Sequence, residues 1–82
     1  MFTVYILYSQ TKDRFYIGMT GDALEERIRK HNSNHKGFTG GLGDWKLVYS
    51  EIYLQKTEAL KRENEIKNWK SRIMIKRLAG IP

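Results

Sequence analysis

Two apolar runs separated by a polar gap open the chain. Residues 2–8 carry apolar side chains at almost every position, and residues 14–19 form a second run. The gap between them, residues 9–14, is polar and turn-like, so the pattern predicts a β-hairpin. The first run is apolar on both of its alternating sides, which indicates a strand covered on both faces. Gly18 in the second run indicates a close backbone approach or a bend.

After the hairpin, the apolar residues recur with helical spacing. Asp22 can cap a helix whose apolar stripe includes His31, and this helix is predicted to end at about residue 31 or 32. Residues 32–44 are rich in Gly, Asn and Ser, which predicts a surface loop. Phe38 and Leu42 are the apolar side chains that can anchor this loop.

The remaining chain predicts one strand and two helices. Residues 45–54 are rich in β-branched and aromatic side chains, which is typical of a strand. Thr57 can cap a helix that runs to Trp69, and residues 71–79 predict a short third helix. The order β-β-α-β-α-α predicts an α/β (α+β) fold class, with a three-stranded, mostly antiparallel sheet flanked by helices. With 82 residues, we expect one domain over residues 1–82.

The charge balance favours a polyanionic partner. Fifteen Lys and Arg against nine Asp and Glu give a net charge of +6, and nucleic acid is the commonest partner of such a surface. A basic surface without any partner is the alternative. The chain has no cysteine, which excludes a disulfide-linked partner and Cys-based zinc sites. No segment approaches the roughly 20 apolar residues of a membrane helix, so we expect a cytoplasmic protein without a membrane partner.

A carboxylate interrupts the apolar stripe of the second predicted helix. Ala59, Leu60 and Ile66 form this stripe, and Glu63 lies in its middle. A carboxylate that faces a core is costly unless it is paired or bound to a metal. Glu63 therefore has two interpretations. It pairs with a basic residue and holds the helix in place, or it faces a polar cleft beside the sheet and binds a divalent metal.

Four further side chains carry candidate chemistry. Arg27 and His31 are one helical turn apart and point the same way. A guanidinium suits phosphate, and an imidazole can donate to a phosphate or take a proton. Tyr5 and Tyr16 are mid-strand, where tyrosines are usually packing residues. Both phenols share a face if the numbers of paired hairpin residues add up to an odd sum, and the sequence leaves that register open.

Basic side chains on the helices and the loop are predicted to contact nucleic acid, with a solvated helical face as the alternative. These residues are Arg29, Lys36, Arg62, Lys67 and Lys70. The two tryptophans, Trp45 and Trp69, are predicted to lie in the core rather than to stack on bases.

In this order the residues closely resemble the GIY-YIG nuclease domain. The first half-motif is Val4-Tyr5-Ile6, with valine where the family name has glycine, and the second is Tyr16-Ile17-Gly18, which matches fully. Residues 24–32 resemble the arginine helix of that family, and residues 59–69 resemble its glutamate helix. The resemblance spans nearly the whole chain and is strongest to the small stand-alone YhbQ/YazA-like members.

The resemblance implies metal-assisted hydrolysis of a phosphodiester in DNA, duplex or branched. Glu63 would hold a single Mg²⁺ or Mn²⁺, and Arg27 would stabilise charge on the phosphate. Tyr5 would be the candidate base, with Tyr16 and His31 positioning water or phosphate. We expect both hydroxyls to lie on the side of the sheet that faces Arg27 and Glu63.

Two other hypotheses remain beside an active endonuclease. One is a catalytically weak or inactive nucleic-acid-binding module of the same fold, and the other is a purely structural domain. Several members of the family also have an asparagine downstream of the glutamate, and residues 72–77 contain none.

Overall fold

The computed structural model describes residues 1–33 and 43–81, so Lys36, Phe38 and Leu42 lie outside the described residues. The elements follow in chain order as β1 Phe2–Ser9, β2 Arg14–Thr20, α1 Leu24–Ser33, β3 Trp45–Tyr53, α2 Lys56–Trp69 and α3 Arg72–Ala79. This sequence of elements confirms the predicted order and fold class. Within the described ranges, no helix combines the length and apolarity needed to cross a membrane.

Strand β1 is the centre of the sheet. The strand order is β2-β1-β3, and both pairs are antiparallel. The four central residues of β1, residues 4–7, are at most 2% exposed. The prediction that this strand is covered on both faces is therefore confirmed, because β1 has a strand on each side and helices on both faces.

The two faces of the sheet carry different helices. On the core face, Val4 and Ile6 pack against Ala59 and Ile66 of α2 and against Ile75 of α3. The side chains that alternate with them point to the other face, where α1 lies, and we call it the α1 face. The apolar core thus lies between the sheet and α2 with α3.

The cap of helix α1 lies one residue after the cap that the sequence predicted. The amide of Arg27 donates to the carbonyl of Ala23 at 3.3 Å, so Ala23 holds the cap position and the helix starts at Leu24. The predicted Asp22 cap is wrong because Asp22 lies one residue too early.

The starts of the other two helices differ in their chemistry. Gln55 occupies the cap position of α2 without a side-chain hydrogen bond, so the predicted Thr57 cap is wrong. Ser71 caps α3, and its hydroxyl accepts from the amide of Met74 at 3.3 Å.

The apolar stripe of α2 is narrower than the sequence predicted. Leu60, which the sequence placed in this stripe, is 38% exposed, whereas Ala59 and Ile66 are buried.

Candidate active site

The register of the hairpin places Tyr5 and Tyr16 on the same face. Tyr5 pairs with Gly18 and Leu7 pairs with Tyr16, so paired residue numbers add up to 23, an odd sum. Residues directly opposite share a face, as do residues two apart along a strand. The two ring centroids are 6.3 Å apart, with the ring planes inclined at 28°. Two phenols therefore lie side by side on the α1 face.

Gly18 lets the ring of Tyr5 cross the neighbouring strand. A Cβ at Gly18 would lie 2.6 Å from the hydroxyl oxygen of Tyr5 and 2.9 Å from a ring carbon of Tyr16. Real Cβ atoms do not approach other atoms so closely. The sequence indicated a close backbone approach or a bend at Gly18, and the groups that approach closely are the side-chain rings of the two tyrosines.

Helix α1 brings a histidine and an arginine to the two phenols. The ring of His31 lies 4.4 Å from that of Tyr16 and 6.3 Å from that of Tyr5, in edge-on geometry. Arg27 lies one turn earlier, and its positive charge acts on both rings: it opposes the burial that raises the pKa of Tyr5, and it adds to the burial that lowers the pKa of His31. The predicted spacing of Arg27 and His31 thus places both residues beside the tyrosine pair.

Glu63 approaches the same phenol from α2. The flanking Ala59 and Ile66 are buried, and the side chain of Glu63 is only 14% exposed. Although α2 packs on the core face, it also contacts β2, over which the Tyr5 hydroxyl lies. The negative charge of Glu63 raises the pKa of Tyr5, so the carboxylate is within electrostatic reach of that hydroxyl.

The surroundings of Tyr5 favour its neutral form. Burial is the largest cause that raises the pKa of Tyr5 to about 12, and Tyr16 and Glu63 add to it. Arg27 acts in the opposite direction but does not outweigh these effects. At neutral pH the phenol of Tyr5 therefore keeps its proton and is able to act as a hydrogen-bond donor. The charge of Arg27 alone does not lower the pKa of Tyr5 enough to produce the phenolate that would act as a general base.

This raised pKa predicts a specific loss of stability at high pH. Unfolded Tyr5 ionises near pH 10, whereas the folded protein holds the proton to about pH 12. The unfolded state therefore loses its proton first, so the stabilisation is complete below about pH 10 and disappears as the pH rises to about 12. We expect the free energy of unfolding of the wild type to fall by about 3 kcal/mol relative to Tyr5→Phe over this interval. Urea unfolding of both proteins between pH 9 and 12 measures the gap, and a constant gap would contradict the prediction.

His31 is the better proton acceptor at neutral pH. Partial burial, and then the charge of Arg27, lower the pKa of His31 below its ordinary value. The imidazole is therefore neutral at pH 7, with one ring nitrogen able to accept a proton.

The donor set around Glu63 fits a lightly coordinated divalent cation. Within residues 1–33 and 43–81, no group of three or more His, Asp or Glu side chains is placed to hold a metal. Mg²⁺ is often bound through one or two carboxylates, with water and substrate phosphates as the other ligands. Glu63 is such a single carboxylate. The ammonium group of Lys67 forms an ion pair with it, with 3.2 Å between Nζ and Oε2.

Arg62 is engaged in the fold. Its guanidinium donates to both carboxylate oxygens of Glu51, at 2.9 and 3.1 Å, and also pairs with Glu65. It lies over the ring of Trp69, 5.5 Å from the centroid. Arg62 therefore braces α2 against β3. The sequence feature that could have indicated this contact is Glu51, an acidic residue on the core face of β3.

The other predicted nucleic-acid contacts lie at the surface. Arg29 pairs with Glu26 at 2.7 Å, and both side chains are well exposed. Lys67 pairs with Glu63 and is half exposed, and Lys70 is exposed at the left-handed end of α2. These three cations are accessible to an extended ligand.

Two side chains that the sequence assigned to a loop make hydrogen bonds to the backbone of neighbouring elements. The amide group of Asn32 bonds to both the carbonyl and the N–H of Trp45, at 3.1 and 2.8 Å. Asp44 accepts from the N–H and the hydroxyl of Thr11, each at 2.8 Å, and from the hydroxyl of Ser9. An Asn or Asp beside an element boundary is the signal that could have indicated such contacts.

The two tryptophans lie in different places. Trp69 packs against the apolar core, as predicted. Trp45 does not belong to that core, so its predicted location is wrong. It lies on the α1 face, where its ring centroid is 6.2 Å from those of Tyr16 and His31. The pairing of Trp45 with Ser9 fixes this orientation, because Ser9 shares the face of the phenols.

The sequence profile of the GIY-YIG catalytic domain matches residues 1–77. Together with the hairpin, the arginine helix and the glutamate helix described above, this match shows that the chain belongs to the GIY-YIG family, a nuclease superfamily.

Similar proteins are small members of this family. A UPF0213 protein of Staphylococcus saprophyticus is 42% identical over 67 residues, covering 79% of this chain and 80% of the relative. A UPF0213 protein of Clostridium perfringens is 43% identical over 65 residues, covering 78% of this chain and 68% of the relative. The solution NMR structure of a UPF0213 protein from Bacillus halodurans aligns with a TM-score of 0.61 at 34% identity, covering 98% of this chain and 84% of the other. The resemblance to small stand-alone members is confirmed.

Proposed function

We propose that this protein is a divalent-metal-dependent endonuclease that hydrolyses phosphodiester bonds in DNA, duplex or branched. The observation that carries the proposal is the convergence of Tyr5, Tyr16, Arg27 and His31 on the α1 face, with the charge of Glu63 acting on Tyr5. A nuclease-family match over residues 1–77 supports the same reaction class.

Arg27 is the group that binds the scissile phosphate. Among the described residues, no carboxylate forms an ion pair with it. A planar guanidinium can donate two parallel hydrogen bonds to phosphate oxygens, and it stabilises the negative charge that grows on them during attack. Tyr5 and Tyr16 donate hydrogen bonds to phosphate or water, and the neutral His31 accepts the proton of the attacking water.

Glu63 holds a single Mg²⁺ or Mn²⁺ in this proposal. When bound, the cation polarises the scissile phosphate and stabilises the leaving oxygen. Lys67 neutralises Glu63 in the absence of metal and is free to contact the DNA backbone once it is released. Arg29, Lys36 and Lys70 supply further phosphate contacts, so we expect affinity to fall with salt.

A catalytically weak nucleic-acid-binding module of the same fold is the second candidate. Two observations favour it. Glu63 is already paired with Lys67, and the phenol of Tyr5 holds its proton at neutral pH. Such a module would bind DNA with the same salt dependence but would not cut it.

A cleavage assay on labelled single-stranded, duplex and branched DNA separates the two candidates. With Mg²⁺ or Mn²⁺ the wild type is expected to cut, and a chelator is expected to stop it. Arg27→Ala is expected to lower the rate by about 10²- to 10³-fold, because it removes a preorganised donor to the transition state. Arg29→Ala is the matched control on the same helix. It is expected to weaken binding and to reduce the salt slope, which is the slope of log affinity against log salt concentration, by about 1, with little effect on the cleavage rate at saturating DNA. Binding without cutting would support the module, and equal rates for the two variants would remove Arg27 from the mechanism.

A further inference from the structure

An aromatic and basic pair adjoins the candidate active site. Trp45 is half-buried on the α1 face, next to Tyr16 and His31. The exposed Lys12, on the turn between β1 and β2, places its Nζ over the indole of Trp45, 5.6 Å from the ring centroid. The tryptophan therefore extends the row of rings on the α1 face outward from Tyr5, and a cation lies at its outer end.

Hydrogen bonds hold both members of this pair in place. The side chain of Asn32 fixes the backbone of Trp45 on both its polar groups. The turn that carries Lys12 is tied to Asp44 through Thr11, and the amide of Lys12 donates to the hydroxyl of Ser9 at 3.2 Å. The backbone of both residues is thus fixed before any ligand arrives, which reduces the entropy that binding has to remove.

We propose that Trp45 and Lys12 form a nucleotide subsite next to the scissile phosphate, where the indole stacks on an unpaired base and the ammonium contacts the phosphate of that nucleotide. This inference rests on the proposed function. Aromatic side chains stack on any base through its π-face, and basic side chains beside them follow the backbone. Lys12 is exposed and in contact with the indole, so an incoming base takes its place on the ring while the ammonium moves to the phosphate.

Intrinsic fluorescence in metal-free buffer with a chelator tests the subsite without any cleavage. The chain has two tryptophans, so Trp45→Phe leaves Trp69 as the only indole. A short single-stranded oligonucleotide is expected to quench the wild type, whereas an abasic oligonucleotide of the same length is not. The quench is expected to vanish in Trp45→Phe. A quench that persists in this variant, or that the abasic strand produces equally, would overturn the subsite.

Affinity measurements with matched variants test the same inference independently. Trp45→Leu is expected to weaken binding of the oligonucleotide by about 5- to 150-fold, the range for loss of one stacked base. Lys12→Ala is expected to reduce the salt slope by about 1 and to leave folding intact, because Lys12 is exposed. Lys46→Ala is the control, since Lys46 pairs with Tyr8 and lies on the core face of the sheet. Equal effects of Lys12→Ala and Lys46→Ala would overturn the role of Lys12.

The two proposals fail in different ways. If the protein shows the Trp45-dependent quench but never cuts DNA with Mg²⁺ or Mn²⁺, the subsite proposal stands and the endonuclease proposal fails. If it cuts DNA without that quench, the endonuclease proposal stands and the subsite proposal fails.

Discussion

Replacing Glu63 by glutamine is expected to lower the rate of DNA cleavage in Mg²⁺ by about a thousandfold, or about 4 kcal/mol in the activation free energy. Glutamine keeps the shape of the side chain and removes the charge that would hold the cation. Since Glu63 lies between the buried Ala59 and Ile66, the neutral amide avoids the cost of placing a charge beside the core. We therefore expect the thermal midpoint of Glu63→Gln to stay at or above that of the wild type.

Glu58→Gln is the matched control for this prediction. Glu58 is exposed in the first turn of the same helix, and its replacement is expected to leave the cleavage rate within about twofold, as for most surface substitutions. Glu63→Gln should also lower the pKa of Tyr5, because one of the negative charges that raise it is removed. An unchanged cleavage rate in Glu63→Gln would exclude Glu63 as the metal ligand. An unchanged titration of Tyr5 would contradict the electrostatic link between the two residues.

Gly18→Ala is expected to destabilise the protein by about 3 kcal/mol and to abolish most of the cleavage activity. The added Cβ would meet the hydroxyl oxygen of Tyr5 at 2.6 Å, its Cζ at 2.7 Å and a ring carbon of Tyr16 at 2.9 Å. Tyr5 is only 2% exposed, so its ring cannot move aside without disturbing its neighbours. Forcing an extra group into such a site typically costs about 1–3 kcal/mol. The displaced phenol then no longer faces His31 in the same geometry.

Urea unfolding and two further variants isolate this steric cause. Gly21→Ala is the control, because its Cβ would meet only the ring of Phe2, at 3.1 Å or more. Tyr5→Phe in the Gly18→Ala background removes the closest contact and should recover part of the lost stability. If Gly18→Ala is as stable as the wild type, the ring of Tyr5 does not cross Gly18 as closely as these distances require.

The sequence predicts the elements of this fold because their signals are local. Apolar runs and helical spacing are properties of neighbouring residues, and they predicted the strands, the helices and their order. The register of the hairpin is not a local property, since a shift by one residue preserves the pattern of each strand and turns every side chain to the other face. The sequence therefore does not determine whether Tyr5 and Tyr16 share a face, and the pairing of Tyr5 with Gly18 is what places them together.

The contacts that the sequence did not predict are those between a side chain and a distant backbone. Asn32 and Asp44 lie in a polar stretch without periodicity, so nothing in the pattern distinguishes a side chain that binds the backbone from one in solvent. Trp45 was assigned to the core because large apolar rings usually lie there. Its place on the α1 face follows from its register with Ser9, which periodicity alone does not determine.

The central position of β1 has a consequence for how this protein is made. The ribosome delivers β1 and β2 before β3, and their pairing closes only a short turn, so the hairpin that holds the two tyrosines can form early. Strand β3 follows much later, because α1 and the residues after it are made in between. Until then, the open edge of β1 can pair with any other extended chain nearby. The nascent protein is therefore prone to aggregate between the pairing of β2 and that of β3, while one edge of its central strand has no partner.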